Sequence, residues 1–294
     1  MQAKGGFYFV RASKGALLLC RARGRLKEKG SELLVGDIVE VKETSTGEGV
    51  IENVLPRRNR MRRPPAANID QAVAVISVKD PPVDLHLLDR ILLAAEEAGL
   101  EILICFSKAD LLQSGETESL SHLKAVYQSC GYGILFISAA TGCGFNDLEG
   151  ALESKVSVLT GPSGAGKTTL INTLKPGLGL LSSPVSEKNK RGRQTTRSAK
   201  LINLQGDAYI VDTPGFQRLD IKGFTSDNLA WFFPEMRALQ GLCRFAGCSH
   251  VAEPDCAVKE ALEEKKIAEW RYEHYLAFLK EIKEAEKFFG KKND

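Results

Sequence analysis

The sequence contains no long apolar run and no secretion signal. None of its apolar stretches approaches the roughly 20 residues that a membrane-spanning helix requires, which argues against a membrane protein. The N-terminus lacks the apolar core of a signal peptide, which argues against secretion. We therefore expect a cytoplasmic protein, although a plastid or mitochondrial protein without its transit peptide would show the same pattern.

The chain also lacks a strong net charge: it carries +3 over 294 residues. With 43% hydrophobic and 26% charged residues, its composition is that of an ordinary globular protein. This length predicts about two domains and an appendage. In the absence of a secretion signal, the seven cysteines indicate reduced thiols or metal ligands rather than disulfides.

The charge is uneven along the chain. Residues 1–63 hold 14 Lys and Arg against 7 Asp and Glu, whereas the remainder is mildly acidic. The same segment contains short strand-like runs separated by Gly and polar residues, which predict a small OB-fold barrel that binds RNA. A basic module indicates a polyanionic partner, and the alternative is a solvated surface. The strand-like runs are Phe7–Val10, Ala16–Cys20, Asp37–Val41 and Gly49–Val54.

Two clusters of basic residues lie within this first segment. We interpret them as phosphate contacts, and the alternative is that solvent alone surrounds them. Pro64 and Pro65 then mark a stiff domain boundary. The first cluster is Arg21, Arg23, Arg25, Lys27 and Lys29, and the second is Arg57, Arg58, Arg60, Arg62 and Arg63.

Residues 64–222 alternate between strand-like and helical patterns, which predicts a doubly wound parallel sheet. The helical pattern from Asp84 to Ala98 ends at Gly99. Because ligands bind at the carboxyl ends of strands in such sheets, we expect the chemistry there. The predicted strands are Ala72–Val78, Ile102–Phe106, Ile134–Ile137, Val156–Thr160 and Ala208–Val211.

A phosphate-binding loop follows the Val156–Thr160 strand and opens a helix. It fits the pattern G-x-x-x-x-G-K-[ST], and the alternative is a chance Gly-rich loop. Lys167 would reach the β- and γ-phosphates, and the hydroxyl of Thr168 would bind Mg²⁺. The loop consists of Gly161, Pro162, Ser163, Gly164, Ala165, Gly166, Lys167 and Thr168, and Thr169 continues it into the helix.

Three further strands end in motifs that resemble those of GTPases. Ser107, Lys108 and Asp110 match the [NT]-K-x-D element that reads guanine, and Ser138 with Ala139 matches the loop that faces guanine O6. Adenine lacks the donor pair that Asp110 would accept, so the set predicts GTP/GDP as the ligand. Asp212 and Gly215 match D-x-x-G, which holds Mg²⁺ and senses the γ-phosphate.

The order of these motifs is permuted, because the base-reading elements precede the phosphate-binding loop. The segment from Ser182 to Ser198 must therefore contain switch I. We expect Thr196, or its neighbour Thr195, to close on Mg²⁺ and the γ-phosphate, and the alternative is a disordered loop. Gln194 is the candidate for orienting the attacking water, since Phe216 stands where Ras-like proteins have Gln.

Residues 223–294 form a third predicted domain, helical and zinc-binding. Three thiols and one imidazole, from Cys243, Cys248, His250 and Cys256, suit one structural Zn²⁺, and the alternative is incidental clustering. A charged helical tail from Glu260 to Phe289 should pack on this loop. The other cysteines, Cys20, Cys105, Cys130 and Cys143, are expected to be small core residues.

The chain as a whole resembles the RsgA (YjeQ/YloQ) family of circularly permuted GTPases. The resemblance implies a GTPase that is stimulated by the small ribosomal subunit, binds its rRNA and acts in its late assembly. Three positions depart from the family's usual pattern: Ser107 replaces Asn, Gln194 replaces His and Thr168 replaces Ser. The resemblance to the family rests on these motifs: Val35-Gly36-Asp37, Asn68-Ile69-Asp70-Gln71, the phosphate-binding loop, Asp212-Thr213-Pro214-Gly215-Phe216, Phe233-Pro234-Glu235 and the Cys/Cys/His/Cys spacing.

Three functions compete at this point. The first is a monomeric GTPase that acts on the 30S-type subunit, and the second is a P-loop kinase for a small molecule, which the Asp110 motif disfavours. The third is a zinc and OB-fold RNA-binding protein that uses the nucleotide only as a switch. We also expect Ser107, shorter than Asn, to lose contacts to the nucleotide loop and so to weaken the affinity for guanine.

Overall fold

A computed structural model of the protein describes residues 3–4, 6–12, 15–24, 32–61, 65–113, 115–179, 200–212 and 223–290. The N-terminal part is a five-stranded sheet in the order β1-β2-β3-β5-β4, in which β3 and β5 run parallel and the other pairs antiparallel. This arrangement fits the predicted OB type. Its strands are β1 (Ala3–Lys4), β2 (Phe7–Arg11), β3 (Leu17–Ala22), β4 (Val39–Ser45) and β5 (Glu48–Val54).

Alternation along β2 and β3 gives this sheet one buried face. Val10, Leu18 and Cys20 point inward and pack with Ile51 of β5. Residues of opposite parity on the same strands stay at the surface: Phe9 is 37% exposed and Leu17 63% exposed. The period of two between buried and exposed residues is what a half-buried strand requires.

A tight joint connects this sheet to the next. The short strands β6 (Arg60–Met61) and β7 (Ala66–Ala67) pair antiparallel. Gly36 packs so closely on this joint that a β-carbon would lie 2.0 Å from the carbonyl oxygen of Ala67. The side-chain amide of Asn68 donates to the Gly36 carbonyl at 3.0 Å. The joint therefore depends on the absence of a side chain at position 36.

The arginines at this joint have carboxylate partners that the local sequence does not reveal, and a phosphate contact by these residues stays a prediction. Arg57 forms a two-pronged pair with Asp37, at 2.7 and 2.9 Å, and the Asp37 side chain is fully buried. Arg58 pairs with Asp70 at 2.8 Å, and Arg60 with Glu32 at 3.4 Å. The chain folds the arginines back onto its own acidic groups, so Arg57 in particular holds the joint together. Arg62 and Arg63 lie outside the described residues, as do Arg25, Lys27 and Lys29.

The central part is a six-stranded sheet in the order β10-β9-β8-β11-β13-β12. Its strands run parallel as predicted, except that the edge strand β12 is antiparallel to β13. β8 is buried along its whole length, as expected for a strand with helices on both faces. The strands are β8 (Gln71–Ser77), β9 (Glu101–Ser107), β10 (Gly133–Phe136), β11 (Val156–Thr160), β12 (Lys200–Asn203) and β13 (Tyr209–Asp212).

Four helices connect these strands. The carboxylate of Asp84 accepts the backbone N–H of Leu87 and so caps the first helix, which ends just before Gly99 as predicted. Buried apolar residues on both sides of the sheet form the two main cores of this domain. The helices are α1 (Leu85–Glu97), α2 (Thr117–Ser129), α3 (Phe145–Leu152) and α4 (Lys167–Leu174).

The C-terminal part is helical and has its own core, to which Phe233, Tyr275 and Phe278 contribute. It contains α5 (Pro234–Arg237), α6 (Ala257–Glu263) and α7 (Glu269–Gly290). The predicted single helical tail is thus two helices. Lys265 adopts a left-handed conformation, and the N–H of Lys266 bonds back to the carbonyl of Ala261, a Schellman closure that ends α6.

Two cysteines also differ from expectation. Cys20 and Cys105 are fully buried as predicted, but Cys130 is half-buried and Cys143 is exposed. Cys143 lies in the turn before α3, where its carbonyl accepts the N–H of Ser138. This residue therefore contributes to the turn through its backbone carbonyl and not through its thiol. Among the described helices, none is long and apolar enough to cross a bilayer.

Candidate nucleotide-binding site

The phosphate-binding loop lies where the sheet order reverses. From β8 the chain crosses to β9 on one side, whereas from β11 it continues toward β13 on the other. A crevice therefore opens between the carboxyl ends of β8 and β11, and in doubly wound sheets this is where ligands bind. Gly161 follows β11 and lies directly against β8: a β-carbon there would stand 2.1 Å from the carbonyl oxygen of Val75.

The loop has a conformation that suits phosphate. Gly164 and Gly166 have positive φ angles of 81° and 89°, and α4 begins immediately after Gly166. Thr168 and Thr169 stand in the first turn of α4, so their backbone N–H groups belong to the positive end of its dipole. The residues present therefore fit a di- or triphosphate.

Lys167 lies over the loop. Its ammonium group donates to the carbonyl oxygens of Gly161 and Pro162, both at 2.7 Å. Burial lowers the pKa of Lys167 to about 8, and the nearby carboxylate of Asp212 opposes this shift. Asp212 ends β13, the strand next to β11. A half-buried ammonium at the start of α4 and a carboxylate at the end of the neighbouring strand β13 suit the charges of a phosphate group and a divalent cation.

The base-reading residues come together on the other side of the loop. The Ser138 hydroxyl donates to the carboxylate of Asp110 and accepts the N–H of Thr141 at 3.2 Å. Ser138 therefore orients Asp110, although the two residues belong to loops after different strands. Lys108, in a left-handed conformation, donates through its ammonium to the carbonyl of Asp80 in the loop after β8.

Ser107 corrects one expectation. We expected this short side chain to lose contact with the nucleotide loop, but its hydroxyl donates to the carbonyl of Ala165 at 2.6 Å. Ser107 is only 5% exposed and lies beside Gly166. The end of β9 and the phosphate-binding loop approach so closely that a serine suffices to connect them.

The switch residues cannot be placed in this geometry. Gln194, Thr195 and Thr196 lie outside the described residues, and so do Gly215 and Phe216. Asp212 is the last described residue before the gap at 213–222. Their roles stay predictions.

A second site lies in the C-terminal part. The ligand atoms of Cys243, Cys248, His250 and Cys256 all lie within 4.8 Å of one another. The sulfur–sulfur distances include 3.7 and 3.9 Å, and the Nδ1 atom of His250 lies 3.3 and 3.6 Å from two of the sulfurs. Tetrahedral Zn²⁺ with Zn–S bonds of about 2.3 Å places sulfurs about 3.8 Å apart, so the four side chains fit this ion.

Helix α7 supports this loop, as predicted. The hydroxyls of Tyr272 and Tyr275 donate to the backbone carbonyls of His250 and Ser249, at 2.7 and 2.8 Å. Sequence reasoning missed Glu253, whose carboxylate accepts the N–H and hydroxyl of Ser249 and two further backbone N–H groups. These bonds, led by the one from the Ser249 hydroxyl, lower the pKa of Glu253 to about 2. The sequence feature that could have pointed to Glu253 is its place within the predicted metal-binding loop, three residues after His250.

The fold and the site together define a circularly permuted P-loop GTPase. A family model described as RsgA GTPase matches residues 54–222, and one described as RsgA N-terminal domain matches residues 1–51. The chain belongs to the RsgA GTPase family. Membership in a GTPase family sets aside the small-molecule kinase as an alternative.

Similar proteins agree over nearly the whole chain. "Small ribosomal subunit biogenesis GTPase RsgA" of Moorella thermoacetica is 44% identical and covers 97% of both chains. The protein of that name from Clostridium perfringens is 42% identical over 95% of both. The crystal structure of YjeQ from Thermotoga maritima superposes with a TM-score of 0.84 at 36% identity, covering 95% of each chain. YloQ, titled a circularly permuted GTPase, gives 0.81 at 32%, covering 96% of this chain and 93% of its own.

Proposed function

We propose that this protein is a GTPase of small ribosomal subunit assembly, which binds the subunit and hydrolyses GTP to GDP and phosphate when bound there. The orientation of Asp110 by Ser138 beside the phosphate-binding loop is the observation that supports a guanine nucleotide. The names of relatives that cover 97% and 95% of this chain support the ribosomal role. We place the protein in the cytoplasm, as a monomer with domains 1–63, 64–222 and 223–294.

In this proposal each motif contacts a different part of the nucleotide. Asp110 accepts the two donors of guanine, Lys108 packs on its ring, and the backbone of Ala139 faces O6. The loop from Gly161 to Thr169 holds the phosphates, with Lys167 moving from its loop carbonyls to the β- and γ-phosphates. Thr168, Asp212 and Thr196 would hold Mg²⁺, whose charge would offset that of the phosphates, and the Gly215 N–H would sense the γ-phosphate.

The hydrolytic step needs a group that orients water. We assign it to Gln194, whose side-chain carbonyl can accept a hydrogen bond from the attacking water while its amide N–H donates to a phosphate oxygen. The subunit would then act by ordering the segment that carries Gln194 and Thr196. The competing source is a catalytic group supplied in trans by the subunit.

An RNA contact of the first domain is the finer part of the proposal. The outer face of β2 and β3 presents Phe7, Phe9 and Arg21, and the Arg21 guanidinium stands 4.5 Å from the centre of the Phe7 ring. Aromatic faces with neighbouring arginines bind unpaired bases by stacking and phosphates by charge. We therefore assign the rRNA contact to this face rather than to Arg57, Arg58 and Arg60.

The decisive measurement is GTP turnover with and without purified small subunits. We expect slow turnover by the protein alone and strong stimulation by the subunit. Gln194→Ala should lose the stimulation while GTP and subunit binding persist, and Gln205→Ala, the same change in an exposed turn, should behave as wild type. Equal turnover with and without subunits would sink the proposed function. Stimulation that survives in Gln194→Ala would assign catalysis to the subunit.

A further inference from the structure

Two helices lead away from the guanine-reading loops. The loop after β8 contains Asp80, which accepts the Lys108 ammonium, and it runs into α1. The loop after β9 contains Lys108 and Asp110, and it runs into α2. The two loops are also joined by an ion pair between Lys79 and Glu116, at 2.9 and 3.1 Å. The spacing of α1 and α2 therefore bears on the shape of the base pocket.

The C-terminal domain reaches between these helices through the start of α7. The Arg271 guanidinium donates to the carboxylate of Asp89 on α1 at 2.5 Å and to that of Glu235 at 2.7 and 3.1 Å. The hydroxyl of Tyr127 on α2 donates to the same Asp89 oxygen at 2.8 Å. One carboxylate thus joins α1, α2 and α7. Asp89 stands four residues into α1, about 6 Å along its axis from the pocket end.

Trp270 adds an apolar contact closer to the pocket. It lines a shallow groove together with Leu85, the first residue of α1, and with Gly115, Glu118 and His122 around the start of α2. The rings of Trp270 and His122 meet edge to face, with centroids 5.5 Å apart. These partners lie next to Glu116, whose carboxylate pairs with the ammonium group of Lys79.

The network is closed to solvent, which makes it break as a unit. Asp89 and Tyr127 are fully buried, and Arg271 is 1% exposed. Burial alone would lower the pKa of Arg271, but Asp89 and Glu235 raise it well above its ordinary value. Removing one member of a buried charge network leaves the others uncompensated, so α7 cannot move gradually away from α1. Coupling between distant sites requires an element that changes between discrete arrangements rather than gradually.

We propose that Trp270 and Arg271 are positioning residues for the guanine pocket: they hold α1 and α2 at one spacing, so that a displacement of the C-terminal domain alters the affinity for guanine nucleotide. This inference rests on the proposed roles of Lys108 and Asp110. It assigns to the C-terminal domain a direct influence on nucleotide release, independent of its link to the nucleotide through residues 213–222. A partner that pulls on this domain would thereby accelerate exchange.

The test uses the full-length, zinc-loaded protein and a fluorescent GDP analogue. Tyr127→Phe removes one hydroxyl from the network, and Trp270→Leu removes the apolar contact. Arg237→Gln is the matched control, because the Arg237–Glu96 pair, at 3.0 Å, also joins the C-terminal domain to α1 but lies near its far end. We expect each test variant to release GDP about five-fold faster or more, the lower range of typical allosteric coupling, and the control to stay within about two-fold of wild type.

A second readout separates positioning from general loosening. IDP lacks the exocyclic amine, so Asp110 accepts one hydrogen bond from it instead of two, and the ratio of GDP to IDP affinity reports how well Asp110 is placed. We expect this ratio to fall in Tyr127→Phe and Trp270→Leu, and Arg271→Lys, which keeps the charge, should retain part of it. Folding of each variant is confirmed by circular dichroism and its melting temperature. If Trp270→Leu does not fold, Tyr127→Phe carries the test.

The outcomes are distinguishable. Folded test variants with the GDP release rate and the GDP/IDP ratio of wild type would overturn the positioning role. Faster release with an unchanged ratio would also count against it, because it shows loosening without displacement of Asp110. A wild-type protein that binds GDP and IDP equally would instead refute the guanine-reading assignment on which the inference rests.

Discussion

Replacing Ser107 with Ala tests how the base-reading strand supports the phosphate-binding loop. The change removes the hydroxyl that donates to the Ala165 carbonyl at 2.6 Å and adds no bulk in a position that is 5% exposed. This bond joins the loop to the end of β9, and we expect it to order the loop before nucleotide binds. Without this bond, the loop is ordered only when nucleotide binds, and the free energy of ordering it reduces the affinity.

The size of the effect follows from the kind of bond. A neutral hydrogen bond contributes a net of about 0.5–1.5 kcal/mol, and leaving a partly buried carbonyl unsatisfied favours the upper end. Since about 1.4 kcal/mol is a factor of ten in affinity, we expect GDP and GTP to bind about 5- to 10-fold more weakly. The base motif itself stays intact, so the preference for guanine over adenine should persist.

Calorimetric titration with GDP and GTP measures the change directly. The matched control is Ser129→Ala, which removes a serine hydroxyl that bonds to the Val126 carbonyl within α2, away from the site. The control should bind as wild type. If Ser107→Ala also binds within two-fold of wild type, the contact does not order the loop in solution and the reasoning fails.

The remaining predictions concern the base, the metal and the joint. Asp110→Asn should weaken GTP binding by about 10- to 100-fold and favour XTP, since the amide presents a donor where guanine also donates; equal GTP affinity in titrations would remove the base-reading role. Elemental analysis should find about one Zn per chain in the wild type, less in Cys248→Ser and no change in the exposed Cys143→Ser; a metal-free wild type with an intact C-terminal domain would contradict the site. Arg57→Ala leaves the buried Asp37 carboxylate without its cation and should cost about 3 kcal/mol in denaturant unfolding, whereas Arg23→Ala, which breaks an exposed pair, should cost at most about 1 kcal/mol. Equal losses in these two arginine variants would refute the structural role of Arg57.

The comparison of Arg57 with the phosphate-binding loop shows where sequence reasoning succeeds and where it stops. The residues of the loop are contiguous in the chain, because its glycines, its lysine and its threonine all lie between Gly161 and Thr168. A pattern of this kind is visible without coordinates. Arg57 and Asp37 are 20 residues apart in different elements, and nothing in the local sequence tells a paired arginine from a free one. For this reason the partner of Arg57 was missed, and a phosphate contact of the exposed Arg58 and Arg60 stays a prediction.

The same limit explains Ser107, Cys143 and the helix break at Lys265. The distance from Ser107 to Ala165 depends on how closely β9 approaches the loop after β11, across 58 residues of sequence. The exposure of Cys143 depends on the turn geometry before α3. The break at Lys265 depends on a left-handed residue that is not a glycine, so the usual C-terminal signal is absent.

Taken by itself, the sequence determined the alternation of strands and helices in the central part, the permuted order of the GTPase motifs and the four side chains of the Cys/Cys/His/Cys cluster. It could do so because each is a short pattern whose spacing reflects local backbone geometry. Only the tertiary structure decided which charged groups meet. Asp89 and Arg271 are 182 residues apart, and their contact exists because α1 and α7 pack together and exclude water from between them. The strength and partners of a buried charge depend on that packing, which no local pattern encodes.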